Sequence, residues 1–191
     1  ETRDEQEVAG YAAVMETVFS HFDAIDLTEN HIRQLHRDLL VYSAKDERHR
    51  GSYKTTPNHV SAFDAEGREI GIVFETATPF DTPRLMTELV DWARAALEDK
   101  QLHPLLVIAI FTVVFLEIHP FQDGNGRLAR VLTNLMLLRS GYDFVQYSSH
   151  ERIVEANKDQ YYQALRSSQK NLPSNSSFEL KWADFFLEML V

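Results

Sequence analysis

Cysteine is absent from the 191-residue chain. That excludes a disulfide framework and thiolate chemistry, and it fits a reducing compartment such as the cytoplasm. Positive charge is scarce. Lys and Arg number 19 against 29 Asp and Glu, a formal net charge of −10, so a nonspecific grip on nucleic acid or on an anionic membrane is not the main task. Long hydrophobic runs are missing as well. The longest, residues 105–116, is broken only by Thr112 and falls short of the ~20 residues that span a bilayer. The opening Glu1-Thr2-Arg3-Asp4-Glu5 does not read as a signal peptide. No Gly-x-x-x-x-Gly-Lys occurs, which argues against a P-loop nucleotidase.

What remains is an ordinary soluble composition, 44% hydrophobic and 25% charged, on a length that suits one domain with a sizeable core. The pattern is helical nearly throughout. Val8, Tyr11, Ala12, Met15, Val18, Phe19 and Phe22 recur at helical spacing. Thr28 is placed to cap a second helix carrying Ile32, Leu35, Leu39 and Leu40. Residues 43–58 are polar and read as a loop. Residues 59–63 and 69–74 flank a turn-forming Asp64-Ala65-Glu66-Gly67 and predict a short β-hairpin. Thr82-Pro83 restarts the helical pattern. His103-Pro104 opens an apolar helix expected to be buried on all sides. A further helix is predicted over 127–140, stopped by Gly141, and two more over 150–168 and 177–190. No internal repeat or domain boundary interrupts the chain.

Between two of these helices lies the run His119-Pro120-Phe121-Gln122-Asp123-Gly124-Asn125-Gly126-Arg127-Leu128-Ala129-Arg130. A Gly-Asn-Gly turn opening a helix offers unpaired backbone N–H groups and a favourable dipole to a phosphate. Arg127 and Arg130 add forked donors. Asp123 is a hard oxygen ligand for magnesium, and His119 can take a proton near neutral pH. Each piece alone is commonplace: a turn, a structural histidine, a solvated helix face. Their conjunction predicts transfer of a phosphorus-bearing group to a nucleophile.

The run also resembles the Fic signature, His-x-Phe-x-Asp/Glu-Gly-Asn-Gly-Arg-x-x-Arg, at every fixed position. The order of the surrounding parts is similar too, including Leu-Met-x-x-Leu-Val-x-Trp at residues 85–92 and a Tyr-Tyr pair near the C-terminus. The resemblance implies a single all-α Fic bundle over residues 1–191 with a small β-hairpin flap. It implies a nucleotidyltransferase that moves AMP from ATP, with magnesium, to a Ser, Thr or Tyr hydroxyl of a target protein. His119 is then the general base and Asp123 the magnesium ligand. Gly124, Asn125 and Gly126 form the anion hole, and Arg127 and Arg130 contact the outer phosphates. Gly71, Ile72, Val73 and Phe74 belong to the flap that lines the nucleotide and aligns the target. Tyr161 and Tyr162 resemble a pair enclosing the adenine; without the resemblance they read as core packing.

Many Fic proteins carry an inhibitory Ser/Thr-x-x-x-Glu-Gly/Asn motif, whose glutamate pairs with the second arginine. No such motif occurs here; Thr2-x-x-x-Gln6 lacks the glutamate. The chain is therefore expected to be a fragment that starts past an inhibitory segment, or to be inhibited by a partner in trans, and to be active as it stands. Gly126, where the related Doc proteins have lysine, favours AMP transfer over phosphoryl transfer. Other Fic chemistries, among them transfer of another nucleotide, of a phosphoryl group or of phosphocholine, and removal of AMP, remain alternatives. So does a non-catalytic nucleotide-binding or partner-binding module, although such a module has no need of His119.

Overall fold

The computed structural model describes residues 2–63, 69–147, 157, 160–161, 163–165 and 181–190. Helix α1 (Arg3–His21) starts at a capping box. The Thr2 hydroxyl accepts the Glu5 N–H, and the Glu5 carboxylate accepts the Thr2 N–H at 2.8 Å. Helix α2 (Glu29–Leu39) starts at Thr28, whose hydroxyl accepts the His31 N–H. Strands β1 (His59–Phe63) and β2 (Glu69–Glu75) pair antiparallel. Helices α3 (Thr82–Asp99), α4 (Pro104–Ile118) and α5 (Asn125–Arg139) follow, and α6 (Lys181–Glu188) is the last described helix.

Helix α4 is the hub. It packs against α3, α5 and α6, while α1 lies across α2 and α5. Val107, Ile108, Phe111 and Phe115 are wholly enclosed, and the buried Trp182 indole of α6 donates to the Ala109 carbonyl at 2.7 Å. At roughly 1.5–3 kcal/mol per fully buried large side chain, this layer is what holds the loop after α4 in place. No helix among the described residues is long and apolar enough to cross a membrane.

Several expectations change. Helix α4 is not buried all round: Ile110, Val114 and Glu117, spaced four and three apart, form a half-exposed stripe. On α1, Val8 is 69% exposed and Ala12 is exposed, because the inward face runs through Gly10, Val14, Met15 and Val18. Gly10 is required there by a close crossing, since a Cβ would sit 2.1 Å from the Leu39 carbonyl oxygen. Helix α3 is capped at Asp81, with Thr82 already helical. Helix α5 begins two residues earlier than the pattern suggested, because Gly124 takes φ +79° and lets Asn125 enter the helix at once. The 150–168 segment falls largely outside the described residues.

In the hairpin, β2 carries one extra residue at Val73 and another at Ile70, opposite the Val60/Ser61 and Ala62/Phe63 steps of β1. Such bulges twist a ribbon and break strict alternation along the strand.

Candidate active site

The segment from His119 to Gly124 joins α4 to α5. His119 is the residue just past α4 and sits in the left-handed region (φ 51°, ψ 59°), with its N–H bonded back to the Phe115 carbonyl. Its Nδ1 lies 3.1 Å from the Leu116 carbonyl oxygen. A carbonyl only accepts, so Nδ1 carries the hydrogen and Nε2 keeps its lone pair. Burial, reinforced by the nearby Lys54 ammonium, pulls the imidazole from its ordinary 6.5 down to about 4. The ring is therefore neutral at pH 7, as a proton acceptor must be.

Asn125 closes the loop on itself: Oδ1 accepts the Phe121 N–H at 2.9 Å, and Nδ2 donates to the Phe121 carbonyl at 2.7 Å. Phe121 is fully buried and stacks on His36 at a ring separation of 3.8 Å. His36 itself is wholly enclosed. Its Nε2 donates to the Asp123 carbonyl at 3.0 Å, and its Nδ1 accepts the Gly51 N–H at 2.9 Å. Burial lowers it to about 4 as well.

No side chain caps the N-terminus of α5. Its first amides are left for another acceptor. At Gly126 a Cβ would meet only the Arg130 guanidinium, at 3.8 Å, so the backbone there is open to close approach. Arg127 is mostly buried. Its Nη1 lies 3.1 Å from Glu7 Oε2 but off hydrogen-bonding angle, leaving that buried donor without a hydrogen bond. Arg130 lies over the Tyr11 ring at 5.9 Å.

The residues fit a phosphate and, with it, a magnesium ion. A mostly buried guanidinium whose Nη1 is ion-paired with Glu7 but not hydrogen-bonded, and an uncapped helix start, suit the anion. Asp123 is a single partly exposed carboxylate, and magnesium commonly takes one or two carboxylates together with substrate phosphates. Among the described residues no group of three or more acids, histidines or cysteines stands ready for a metal by itself. Asp123 is engaged by protein in this structure: Oδ1 accepts the Gly124 N–H at 2.6 Å and Oδ2 accepts from Arg3 at 3.1 Å. Arg3 and Glu7, one turn apart and bonded at 2.7 Å, thus bring the start of α1 onto both Asp123 and Arg127.

Sequence reasoning missed a clasp from the loop before β1. Lys54 is buried, and its ammonium donates to Asn58 Oδ1, the Thr76 hydroxyl and the Ile118 carbonyl at 2.8–3.0 Å. Its own N–H donates to the Pro120 carbonyl at 2.8 Å. Asn58 Nδ2 reaches the carbonyls of His119 and Phe121. Burial lowers Lys54 to about 8. The only signal in the sequence is a polar stretch beside a hairpin, which does not say what it grips.

Gly71, Ile72, Val73 and Phe74 lie in β2, where only the backbone is described. Tyr161 is buried and packs edge-on against Trp182 and Phe185; with Arg130 it borders a small gap beneath α5. Tyr162 lies outside the described residues.

A family model described as Fic/DOC family matches residues 26–137. The chain belongs to the Fic family. A protein adenylyltransferase Fic of Drosophila grimshawi is 30% identical over 142 residues, 74% of this chain and 25% of that protein. A Fic-domain-containing signaling protein of Bacteroides thetaiotaomicron superposes with a TM-score of 0.75 at 29% identity, covering 98% of this chain and 69% of that one. A Fic family protein of Desulfovibrio desulfuricans gives 0.74 at 27% identity, over 100% and 52%. The chain spans about a quarter of the length of that Drosophila relative. The Fic fold read from the motif is the fold observed.

Proposed function

We propose that this Fic domain is a protein adenylyltransferase, moving AMP from ATP to a Ser, Thr or Tyr hydroxyl of a target protein. The observation that carries the reading is the state of His119: a neutral ring whose Nδ1–H is committed to the Leu116 carbonyl, leaving Nε2 to accept a proton. Relatives named as protein adenylyltransferases support it.

In the reaction the acceptor oxygen attacks the α-phosphorus and its proton passes to His119 Nε2. The bond from that phosphorus to the bridging oxygen breaks, and pyrophosphate leaves. The amides of Asn125 and Gly126 and the guanidinium groups of Arg127 and Arg130 hold the phosphates. Asp123 would hold magnesium, which supplies charge neutralisation on the phosphates. The two-stranded hairpin has a free edge on each strand among the described residues, so an extended target segment can add to it and lay its hydroxyl near the loop.

Intact-mass measurement of the chain after incubation with ATP and magnesium tests this. A gain of one AMP unit on the chain or on an added acceptor is expected. His119→Ala removes the gain while leaving ATP binding in place. Binding of ATP with no transfer by the unaltered chain to any hydroxyl substrate would overturn the reading in favour of a binding module.

A further inference from the structure

A cavity of about 640 Å3 opens between α3 and α4 and ends at Thr76 and Ala77, which follow β2 directly. Leu85, Leu89 and Trp92 of α3 and Ile110 and Val114 of α4 make its walls. Glu117 is the exception. Its carboxylate is half-buried and has no hydrogen-bond or ion partner among the described residues, and burial alone pushes it up to about 7. Glu88, also on the cavity, is already matched by Arg84 at 2.8 Å. The groove lies beside the candidate active site: Glu117 precedes His119 by two residues, and its carbonyl accepts the Ala77 N–H at 3.3 Å, tying it to the foot of the hairpin.

We propose that this groove receives a lysine or arginine side chain from the target segment that presents the acceptor hydroxyl. The inference rests on the transfer reading for the identity of that segment, and on the groove alone for its chemistry. Apolar walls suit the methylene stem of a long basic residue. Trp92, in the cavity wall, is an aromatic side chain suited to pack against a cation. Glu117, raised by burial to about 7, is drawn into its charged form by an incoming cation and supplies the opposite charge where solvent screens it less than at the surface. A purely apolar occupant would fill the walls but bury Glu117 further without compensation, which is costly. An acidic occupant would meet a like charge.

The probes are two capped pentapeptides that differ only in arginine against citrulline, its neutral near-isostere, added to the chain without nucleotide. Binding is read from Trp92 fluorescence; the other tryptophan, Trp182, is fully enclosed. The arginine peptide is expected to bind at least fivefold more tightly than the citrulline peptide, and Glu117→Gln should reduce that ratio below twofold. Thermal unfolding checks that the variant is folded, and Glu117→Arg, which reverses the charge, should prefer a glutamate peptide over the arginine one. Equal binding of arginine and citrulline by the unaltered chain overturns the proposal, as does a preference that survives Glu117→Gln. Because no ATP is present, failure here is separable from failure of AMP transfer in the mass assay.

Discussion

Replacing His36 by phenylalanine isolates one buried ring that holds the active loop. The aromatic stack on Phe121 is kept, while both hydrogen bonds of the imidazole are lost. The Asp123 carbonyl and the Gly51 N–H are then left without their partner. Each orphaned group costs roughly 1–3 kcal/mol, so the variant should be less stable by about 2–6 kcal/mol at pH 7. The penalty should shrink in acid. His36 has a folded value near 4 against an ordinary 6.5, so below pH 6.5 the unfolded chain binds a proton that the folded chain refuses. The stability due to this depressed value is present above 6.5 and lost as pH falls from there towards 4. Between pH 7 and pH 5 the unaltered chain should lose about 2 kcal/mol through this ring, a loss that the phenylalanine variant cannot show. His119 titrates in both proteins and cancels in the comparison. Urea unfolding at pH 7, 6 and 5 measures the two curves. Parallel curves would refute the assignment of His36 as a buried neutral ring.

Glu7→Gln removes the acid that faces Arg127 and should tighten ATP binding by a few fold, about 1 kcal/mol or less as expected of a partly exposed pair; weaker binding, measured by calorimetry, would make Glu7 a support rather than a competitor. Arg130→Ala should cost ATP about 1.5–3 kcal/mol of phosphate contact and spare AMP, so equal losses for the two nucleotides would remove Arg130 from the outer phosphates. Phe121→Ala should lower stability by about 3–5 kcal/mol through the lost stack and packing, with the unfolding midpoint as the readout; an unchanged midpoint would mean that the loop does not depend on its buried ring.

The motif was legible because its parts are consecutive. Base, carboxylate, anion loop and arginines sit within twelve residues of sequence, and the covalent chain alone keeps them together. The helices were legible from spacing and caps, as at Thr28 and His103. The supports were not legible. Lys54 and Asn58 look like any polar loop residues until tertiary contact turns them towards the carbonyls of residues 118–121. His36 sits in the apolar stripe of α2 with Ile32, Leu35 and Leu39; that placement was the one available hint of a buried polar role. The expectation about regulation looked for a glutamate in a fixed pattern opposite Arg130. The structure instead sets Glu7 against Arg127, a pairing that local spacing cannot reveal across 120 residues.

The clasp at the base of the hairpin has a mechanical meaning. Asn58 comes just before β1 and Thr76 just after β2, and the Thr76 hydroxyl bonds Asn58 at 2.7 Å. The same Asn58 holds the carbonyls of His119 and Phe121, and Lys54 holds Thr76 and Ile118. The two feet of the ribbon and the backbone around His119 therefore share one fulcrum. A load applied along the ribbon, as by a chain annealing to its edge, is delivered to the peptide units on either side of His119. If a target segment anneals to the hairpin as proposed, its engagement and the aim of His119 are coupled through this shared anchor.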